Sequence, residues 1–573
     1  MHGFFGSYSN SYEWDLSAFT IEQYIIRKYN EARLHLIQAT LPKFIDDKYF
    51  YSEDGCFLAI EGVLFVADAP SQAIKKYKKG EIEFWKEWRG SFAGIFYDAR
   101  EDILLIFNDH IGSKMLFYAQ EGKDILFASD LSILTNALSK KHARLLNESF
   151  AWHMLTFGYS PTAETPVSGV KRILAGQYIY ICKNNLQVQT YHRFHNTKNK
   201  LSVTDNIRQT NALFEQAVQR VLDKNDQYSL RHVAALSAGL DSRMSVCVAR
   251  EKTNAPIDVV TYSQTGYYDE IIPKDISNAW NCKMYFHPLD GGDYLCKVDD
   301  VNQITGSIIC YAGAAQVLAG FDKILNKGTG VVLTGMIGDI VISCPWEKTG
   351  APYSGLGAIS TNFLKYIQTS TQDLTRLFPT QELYYLYVRG FNCADLGSPL
   401  ILQMTGESYS PFYDVDLLQF CMSIPQEQRY NHRLYDQWIL TYHPQAANWP
   451  HNGTRQIGQH PIMCHVIGRD IPLKDVPKRL FWYVCKKLHI HNYYEEHADG
   501  SMNPMDDWYQ YNPTLRKELD DYFATHISFL TSKKLQHAAS ELYQKGTMME
   551  KVLVLTLLSS EHLFVSQSNC HGG

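Results

Sequence analysis

The pattern of apolar and polar positions changes near residue 200. From Phe57 to Leu131, short apolar runs alternate with turn signals rich in Gly, Asp and Asn, as in FLAIEGVLFVAD and GSFAGIFYDARED. A second β-prone patch covers 172–194. Runs of this kind favour mostly antiparallel strands, so we predict that the N-terminal third is largely sheet.

After a polar linker at 196–205, the pattern predicts alternating helices and strands. Helical spacing of apolar residues predicts a helix over 206–222. Strands are predicted at 233–236, 257–263 and 329–334, with one helix after the first strand and another near 274–282. This order predicts a parallel sheet, and such sheets bind ligands beyond the carboxyl ends of their strands. Beyond about 350 the pattern is mostly helical.

The stretch HVAALSAGLDSRMSVCVAR, residues 232–250, joins a strand to a helix through a turn of small residues. Such a turn points backbone N–H groups and the positive end of the helix dipole at one spot, which suits a polyphosphate. Ser237 and Ser242 add hydroxyl donors, and Gly239 permits close approach of the backbone. Asp241 can hold Mg²⁺ against phosphate oxygens. The stretch therefore favours nucleotide chemistry, although the Walker and dinucleotide glycine patterns are missing from it.

Composition indicates a globular protein of several domains. A length of 573 residues allows two to four domains at about 150 residues each, and the net charge of −6 gives no reason to expect nucleic acid as a partner. The 12 cysteines form no Cys-x-x-Cys pair and no zinc-site spacing. The N-terminus has no secretory pattern, and no run approaches about 18 apolar residues. We expect a cytoplasmic protein without a membrane span.

Four segments in order along the chain resemble the asparagine synthetase superfamily. The region 90–131, from GSFAGIFYDARED to FASDL, is similar to its glutaminase domain. LSAGLDS (236–242) is similar to the Ser-Gly-Gly-x-Asp-Ser loop of PP-loop ATP pyrophosphatases, which adenylate a substrate. LTGMIGDIV (333–341) resembles the second phosphate and metal loop, and GESYSPFYDVDLLQF (406–420) resembles Val-Glu-x-Arg-x-Pro-Phe-Leu-Asp.

The resemblance implies a chain that is part α+β and part α/β. An Ntn-type α/β/β/α sandwich, a degenerate glutaminase-like domain, would cover 1–200. A PP-loop (adenine nucleotide α-hydrolase-like) parallel-sheet domain would cover 201–460. A helical C-terminal extension of that synthetase domain would cover 461–573.

The resemblance also implies ATP and Mg²⁺ as cofactors and names their ligands. The residues that would grip ATP and pyrophosphate are Leu236, Ser237, Gly239, Leu240, Asp241 and Ser242. Thr334 and Gly335 would line the α-phosphate and ribose. The strand end that would meet the adenine contains Thr261, Tyr262 and Ser263. Asp241 and Asp339 would share Mg²⁺, the alternative for Asp339 being a turn or cap. Ala238 takes the place of a loop glycine.

The chain departs from the family at the glutaminase nucleophile. His2 stands where glutamine-using members have a catalytic cysteine, and an imidazole cannot replace a thiolate as acyl carrier without an unusual context. EGVLF (61–65) stands where Asn-Gly-Glu-Ile-Tyr is expected, and no Arg-Gly-Pro-Asp segment occurs. We expect that the N-terminal domain no longer hydrolyses glutamine. The alternative is that another cysteine, such as Cys56, has taken over.

The synthetase half departs from the family at its second loop. Ile340 replaces a glutamate, as an isoleucine does in β-lactam synthetase, and Met336 occupies a variable site where it cannot act as a base. Members without the cysteine, such as β-lactam synthetase and lasso-peptide cyclases, use an amine of the substrate itself. We therefore expect the amine to be free ammonia or an amino group of a substrate.

Three further residues are candidate catalytic groups. Glu407 occupies the position of a glutamate that supports amine deprotonation in lactam-forming relatives, and its alternative is a buried carboxylate paired with an arginine such as Arg389. Asp414 would orient a substrate amine or cation, or would cap a helix. Arg455 would replace a lysine that the family uses to offset charge on the phosphate.

Together these residues predict an ATP-dependent amide-bond-forming ligase. A carboxylate would attack the α-phosphate, pyrophosphate would leave, and an amine or ammonia would attack the acyl-adenylate. The carboxylate is either a uronic acid or similar sugar acid, or a peptide or small natural-product precursor closed into a lactam. The competing hypothesis is a catalytically inactive asparagine-synthetase-like binding or assembly subunit. Assembly as a homodimer is left open.

Overall fold

A computed structural model describes residues 2–9, 24–65, 70–138, 144–325, 328–344, 357–378, 380–392, 396–453, 455–459, 463–466, 469–473, 476–477, 480–481, 484 and 501–566. The strands of the N-terminal part are β1 Gly3–Tyr8, β2 Ile25–Glu31, β3 Leu34–Thr40, β4 Phe50–Glu53, β5 Cys56–Leu64, β6 Gly90–Asp98, β7 Ile103–Asn108, β8 Phe117–Glu121, β9 Asp124–Ala128, β10 Val170–Arg172, β11 Gln177–Cys182 and β12 Asn185–Thr190. Its helices are α1 Ala73–Lys78, α2 Leu131–Ala137 and α3 Glu148–Phe157.

These strands form two six-stranded antiparallel sheets, in the orders β10-β8-β9-β1-β3-β2 and β12-β11-β7-β6-β5-β4. One apolar layer, with Phe4 from the first sheet and Phe57 from the second, lies between them. Helices α2 and α3 cover the outer face of the first sheet. The outer face of the second sheet is covered by α1 and a turn that carries Trp85 and Trp88. The predicted antiparallel N-terminal region is confirmed.

The prediction did not include strands β1 to β4. Strand β1 contains Gly3 and Gly6, which lower its apparent strand propensity. Gly6 is required by packing, because a Cβ there would lie 2.2 Å from the ring of Phe127 on β9. In β3 the buried side chains of Gln38 and Thr40 both bond to Glu61, which interrupts the apolar alternation.

A five-stranded parallel sheet follows, in the order β15-β14-β13-β16-β17. Its strands are β13 Arg231–Ala235, β14 Ile257–Ser263, β15 Lys283–Pro288, β16 Thr329–Leu333 and β17 Glu407–Tyr409. The three predicted strands are confirmed, with small shifts at their ends. Strands β15 and β17 were not predicted. Strand β17 has only three residues, too few for a periodic signal, and the half-buried edge strand β15 follows directly after the predicted helix near 274–282.

The helices of this part are α4 Val203–Gln227, α5 Asp241–Lys252, α6 Tyr268–Ala279, α7 Val298–Thr305, α8 Tyr311–Phe321, α9 Gly338–Val341, α10 Gln368–Leu377, α11 Gln381–Tyr384, α12 Gly397–Leu402, α13 Val415–Ser423, α14 Gln426–Arg429 and α15 Arg433–Tyr442. Helix α4 begins inside the predicted linker, because the Ser202 side chain accepts a hydrogen bond from the backbone N–H of Asp205 and caps it.

The remaining elements are the hairpin β18 Met463–Val466 and β19 Arg469–Pro472, followed by α16 Met505–Tyr511, α17 Pro513–His526, α18 Lys533–Lys545 and α19 Met548–Ser560. The mostly helical C-terminal region is confirmed for the described residues. Helix α19 is buried on all sides and joins the apolar cluster that includes α3 of the N-terminal part and α7. None of the helices in the described ranges has the length and apolar character needed to cross a membrane. The limits proposed at 200 and 460 stay predictions.

Candidate nucleotide site

The candidate site lies where the strand order of the parallel sheet reverses. From β13 the chain continues to β14 and β15 on one side, and then returns to β16 on the other side of β13. The loops that follow β13 and β16 therefore diverge and leave a crevice at the carboxyl ends of the strands. Asp241 follows β13 and Asp339 follows β16, so both predicted metal ligands border this crevice.

Residues 237–242, here called the serine loop, are held by their own side chains. The backbone N–H of Ser237 donates to Ser242 Oγ at 2.9 Å, and the N–H of Gly239 donates to Ser237 Oγ at 3.2 Å. The two hydroxyl groups are also within 2.9 Å of each other. The loop thus has a defined shape at the N-terminus of α5, where the helix dipole favours an anion.

Arg243 holds the serine loop through hydrogen bonds to backbone carbonyl groups. Its buried guanidinium donates to the carbonyl of Ala238 at 2.8 Å and to those of Trp449 and Pro450 at 2.7 and 2.9 Å. Burial lowers the pKa of Arg243 to about 10, so the guanidinium is still charged near neutral pH. These bonds tie the loop to the segment that follows α15.

Residues 334–339, here called the glycine loop, pack backbone to backbone on the start of α5. A Cβ on Gly335 would lie 2.2 Å from the backbone nitrogen of Ser242, and one on Gly338 would lie 2.4 Å from Asp241 Cγ. The backbone N–H of Asp339 donates to Asp241 Oδ2 at 2.9 Å. On the other side of this carboxylate, the Tyr435 hydroxyl donates to Oδ1 at 2.8 Å. The two glycines therefore let the second loop reach the first.

Two further carboxyl groups give the crevice a negative character. Asp339 is open to the cavity but has protein around it, and this burial raises its pKa above the ordinary aspartate value. Burial also raises the pKa of Asp269, on α6, whose Oδ1 accepts the backbone N–H of Ala238 at 2.7 Å. A cation bound between such groups would favour their ionised forms.

A cavity of about 920 Å³ opens above the two loops. The predicted residues in its lining are Leu236, Ser237, Gly239, Leu240, Asp241, Ser242, Thr261, Tyr262, Thr334, Gly335 and Asp339. Ser263, Glu407, Asp414 and Arg455 lie outside this lining. The Ser263 side chain is fully buried and donates to the carbonyl of Gln264. The structure thus brings the predicted nucleotide-binding residues together, Ser263 excepted.

Glu407 lies at the start of β17, where it pairs with a cation from the N-terminal part. Lys114 Nζ donates to its two carboxylate oxygens at 2.6 and 2.8 Å, and both side chains are buried. The alternative for Glu407 was a buried ion pair with an arginine such as Arg389. A buried ion pair is present, but its cation is Lys114. The pair joins the loop after β7 to the parallel sheet.

Asp414 and Arg455 are also occupied by protein partners. Asp414 accepts the backbone N–H groups of Asp416 and Leu417 at the start of α13 and pairs with Arg220, so it caps a helix. Arg455 donates to both oxygens of Asp436 at 2.5 and 3.0 Å. In this arrangement the charge of each candidate is offset within the protein.

The cavity lining also contains polar residues that the sequence did not indicate. His432 and His451 lie with ring centroids 5.4 Å apart, and Ser343 Oγ is 3.1 Å from His432 Nδ1. Burial is the main cause that lowers the pKa of His451 to about 3. Asn431, His432 and Asn452 have positive φ angles of 53°, 62° and 49°. Such backbone strain is frequent at functional sites, but the side chains alone do not signal it.

Position 2, where the family has its nucleophile, is embedded in a polar cluster. His2 Nε2 is 2.5 Å from the carbonyl oxygen of Gln403, and its Nδ1 is 3.5 Å from Glu61. Lys48 lies 3.4 Å from the same Glu61 carboxylate. Burial by itself would raise the pKa of Glu61, but Lys48 and His2 outweigh it and lower the pKa to about 2. Glu61 is thus a buried anion neutralised by this cluster.

Two sequence comparisons match the chain to known proteins. A family profile described as a glutamine amidotransferase domain matches residues 72–192. Asparagine synthetase [glutamine-hydrolyzing] 3 of Bacillus subtilis (strain 168) is 23% identical over 399 residues, which are 59% of this chain and 62% of that protein. Both matches support a relationship to the asparagine synthetase superfamily. The chain spans less than two thirds of the length of this relative.

Two solved structures were also matched to the chain. They are glutamine phosphoribosylpyrophosphate (PRPP) amidotransferase from B. subtilis complexed with ADP and GMP, and a structure titled as the allosteric regulatory enzyme of purine biosynthesis. Each match has 9% identity and a TM-score of 0.19, and covers 41% of this chain and 53% of the other. The fold described above rests on the strand order and not on these two matches.

Proposed function

We propose that the protein is an ATP- and Mg²⁺-dependent ligase that adenylates a carboxylate and transfers the acyl group to an amine or ammonia. One observation carries the proposal: the serine loop and the glycine loop bring Asp241 and Asp339 together at the edge of one cavity. An anion-binding helix start beside two carboxylates is the chemistry that a metal-bound triphosphate needs. The similarity to an asparagine synthetase supports a ligase of this kind.

The residues present fit a magnesium ion. Gly338 leaves room for the Asp241 carboxylate, since any Cβ there would fill the space beside it. Oxygen ligands from one or two carboxylates, completed by phosphate oxygens and water, are the usual environment of Mg²⁺ in proteins. In our proposal Asp241 and Asp339 hold the ion. When bound, it would offset the charge on the phosphates.

The cavity volume of about 920 Å³ is at the upper end of the range of roughly 300–1,000 Å³ for ligand pockets. It therefore has room for a nucleotide and part of an acyl substrate. In the proposal the serine loop binds the phosphates, Thr334 and Gly335 face the α-phosphate, and Thr261 and Tyr262 face the base. The carboxylate oxygen attacks the α-phosphorus and pyrophosphate leaves. The amine nitrogen then attacks the acyl carbon, loses a proton and releases AMP.

The groups that face the substrates are proposed to be polar residues of the cavity lining. The pairing of Glu407 with Lys114 supports a structural role for Glu407, so we do not place it at the reacting atoms. Asp414 and Arg455 are likewise treated as residues that hold the protein around the site. Ser343 and His432, which lie in the cavity lining, are the nearest alternatives for contacts with the amine or acyl group.

The amine is proposed to come from outside the N-terminal domain. An imidazole at position 2 gives no thiolate, and His2 is already engaged with Gln403 and Glu61. The alternative nucleophile Cys56 is buried in the second sheet, and burial raises the pKa of its thiol to about 11. A thiol with that pKa is protonated near neutral pH and is a poor nucleophile. We therefore propose that the protein does not hydrolyse glutamine.

Exchange of labelled pyrophosphate into ATP tests this function. The full chain is incubated with Mg-ATP and a panel of carboxylates that includes uronic acids, amino acids and peptides. We expect exchange that depends on one class of carboxylate and is lost in Asp241→Asn. If no carboxylate in a broad panel supports exchange although Mg-ATP binds, the adenylation proposal fails. Release of ammonia from glutamine would contradict the proposal on the amine source.

A second candidate function is a binding or assembly subunit without catalysis, and one contact favours it. The backbone N–H of Ala238 is bonded to the Asp269 carboxylate, so one donor of the serine loop is already used by an anion. Calorimetry with Mg-ATP separates the two candidates. Binding of Mg-ATP supports the ligase. If neither the wild type nor Asp269→Asn binds Mg-ATP, the protein is the inactive subunit.

A further inference from the structure

Three potential metal ligands meet among the C-terminal helices, outside the lining of the nucleotide cavity. Within the part of the chain that the structure describes, the ligand atoms of Asp299, His526 and His562 all lie within 4.8 Å of one another. Asp299 lies on α7, His526 is the last residue of α17, and His562 lies on the π-helical turn Glu561–Val565. We call these residues the 299 cluster.

We propose that the 299 cluster binds a divalent transition-metal ion, with Zn²⁺ as the best fit. The tautomer of His526 follows from one contact. Its Nδ1 is 2.7 Å from the backbone carbonyl oxygen of Tyr522, which can only accept, so Nδ1 carries the proton. The lone pair is then on Nε2, which is the atom that neutral histidines commonly offer to a metal.

The surrounding residues orient the carboxylate as well. Asp299 Oδ1 accepts the Tyr522 hydroxyl at 2.5 Å and the Ser559 hydroxyl at 2.6 Å. Its other oxygen, Oδ2, is 3.2 Å from His562 Nδ1. The Tyr522 ring stacks on His526 with centroids 4.0 Å apart, which fixes the imidazole plane. Bonds that hold the ligands from outside are the usual second layer of a metal site.

The cluster is open enough for an ion to enter. The side chains of Asp299 and His562 are 33% and 31% exposed. Three protein ligands with a water in the fourth position make the common open arrangement of Zn²⁺. Two imidazoles favour Zn²⁺ over Mg²⁺ and Ca²⁺, which prefer oxygen ligands.

A second group with metal-binding residue types lacks these features. Cys247, Glu251 and His443 also lie close together. The two ring nitrogens of His443 contact Glu251 and Asn211 at 2.9 and 2.8 Å. Burial raises the pKa of the Cys247 thiol, so the thiolate needed for binding is disfavoured. This group is better described as a hydrogen-bonded network.

An ion in the 299 cluster would join three separate segments of the chain. Asp299 and His562 are 263 positions apart, and His526 comes from a third helix. Because the unfolded chain does not hold these residues together, binding would stabilise the folded state. We therefore assign the site a role in fastening the C-terminal helices to α7.

Calorimetry of the full, untagged chain with zinc chloride tests the site. We expect one Zn²⁺ per chain and a higher melting temperature. Asp299→Asn and His526→Ala should weaken binding by about 100-fold or more, and Ser559→Ala by about 10-fold, since loss of an outer partner costs roughly 10–100-fold. His537→Ala, which removes an exposed histidine of α18, serves as the matched control and should bind as wild type.

Cobalt(II) gives an independent readout, because it reports the ligand types. Bands of tetrahedral Co²⁺ without thiolate charge transfer are expected for the wild type and should be lost in His526→Ala. Circular dichroism of each variant confirms that it folds. Zinc binding of equal strength in wild type and His526→Ala, a cobalt spectrum with thiolate bands, or no stoichiometric binding would each overturn the proposal.

Discussion

The backbone N–H of Asp339 donates a 2.9 Å hydrogen bond to the side chain of Asp241, although the two residues are 98 positions apart. The contact forms because β13 and β16 are neighbours with parallel register, Ala234 beside Leu333. Each strand then delivers its next loop to the same edge of the sheet.

Asp241→Asn and Asp339→Asn should each weaken Mg-ATP binding on the order of 100-fold or more, since each removes a proposed ligand of the metal rather than an outer partner. Calorimetry at saturating Mg²⁺ measures the loss. Asp275→Asn, at an exposed position of α6, is the control and should bind normally. Normal Mg-ATP affinity in both loop variants would remove the basis of the proposed function.

Gly335→Ala should disrupt the contact between the two loops. The added Cβ would lie 2.2 Å from the Ser242 backbone nitrogen, and overpacking of this kind costs about 1–3 kcal/mol. We expect a lower melting temperature and loss of Mg-ATP binding. At Gly313, on α8, a Cβ would meet nothing within 4 Å, so Gly313→Ala is a matched control. Equal behaviour of the two variants would show that close loop packing is unimportant.

Glu407→Gln should destabilise the protein, because it leaves the buried Lys114 ammonium without its anion. Removal of one partner of a buried ion pair costs about 3–5 kcal/mol, whereas replacement of both by apolar residues is often close to neutral. Denaturation of Glu407→Gln, Lys114→Met and a double variant with Met at both positions measures this. A Glu407→Gln protein with wild-type stability and no activity would instead support Glu407 as the base.

Acidification should destabilise the fold through two histidines in contact. Burial, as the largest cause, lowers the pKa of His110 to about 3 and that of His192 to about 4, and their ring centroids are 4.7 Å apart. Below about pH 6.5 the two imidazoles become protonated in the unfolded chain, whereas in the folded protein they stay neutral because their pKa values are lower. Their contribution to stability is therefore complete above that pH and is lost as the pH falls toward 4 and then 3.

Melting temperatures between pH 7.5 and 4 check this dependence. Replacing His110 and His192 by Gln should flatten the curve by up to about 1.4 kcal/mol per pH unit for each histidine. The same slope in the wild type and the double variant would show that other groups control the acid response.

Local signals were enough to predict strands β13, β14 and β16 and the serine loop of the candidate site. The serine loop was found because strand, small-residue turn and helix follow one another directly in the sequence. Its partner, the glycine loop, was predicted because its motif resembles one of the asparagine synthetase superfamily. Contacts made across the chain were not predictable, since Tyr435 and Asp269 reach the site from helices whose patterns show only amphipathic character.

The same limit explains the candidates whose partners were unexpected. Glu407 had a known motif position, but its partner Lys114 lies 293 positions earlier. No periodicity relates two such residues, and only the packing of the antiparallel sheets on the parallel one brings them together. The sequence did not decide whether Asp414 caps a helix or binds substrate, because it does not distinguish these two roles of an aspartate.

Helix α19, which spans Met548–Ser560, is surrounded by protein and contacts elements from both halves of the molecule. During synthesis, the part of α3 that packs on this helix is therefore uncovered until residue 560 has left the ribosome. Premature termination near residue 540 would leave a nascent chain with a large exposed apolar surface, and such a chain would be a natural client for chaperones and a target for aggregation.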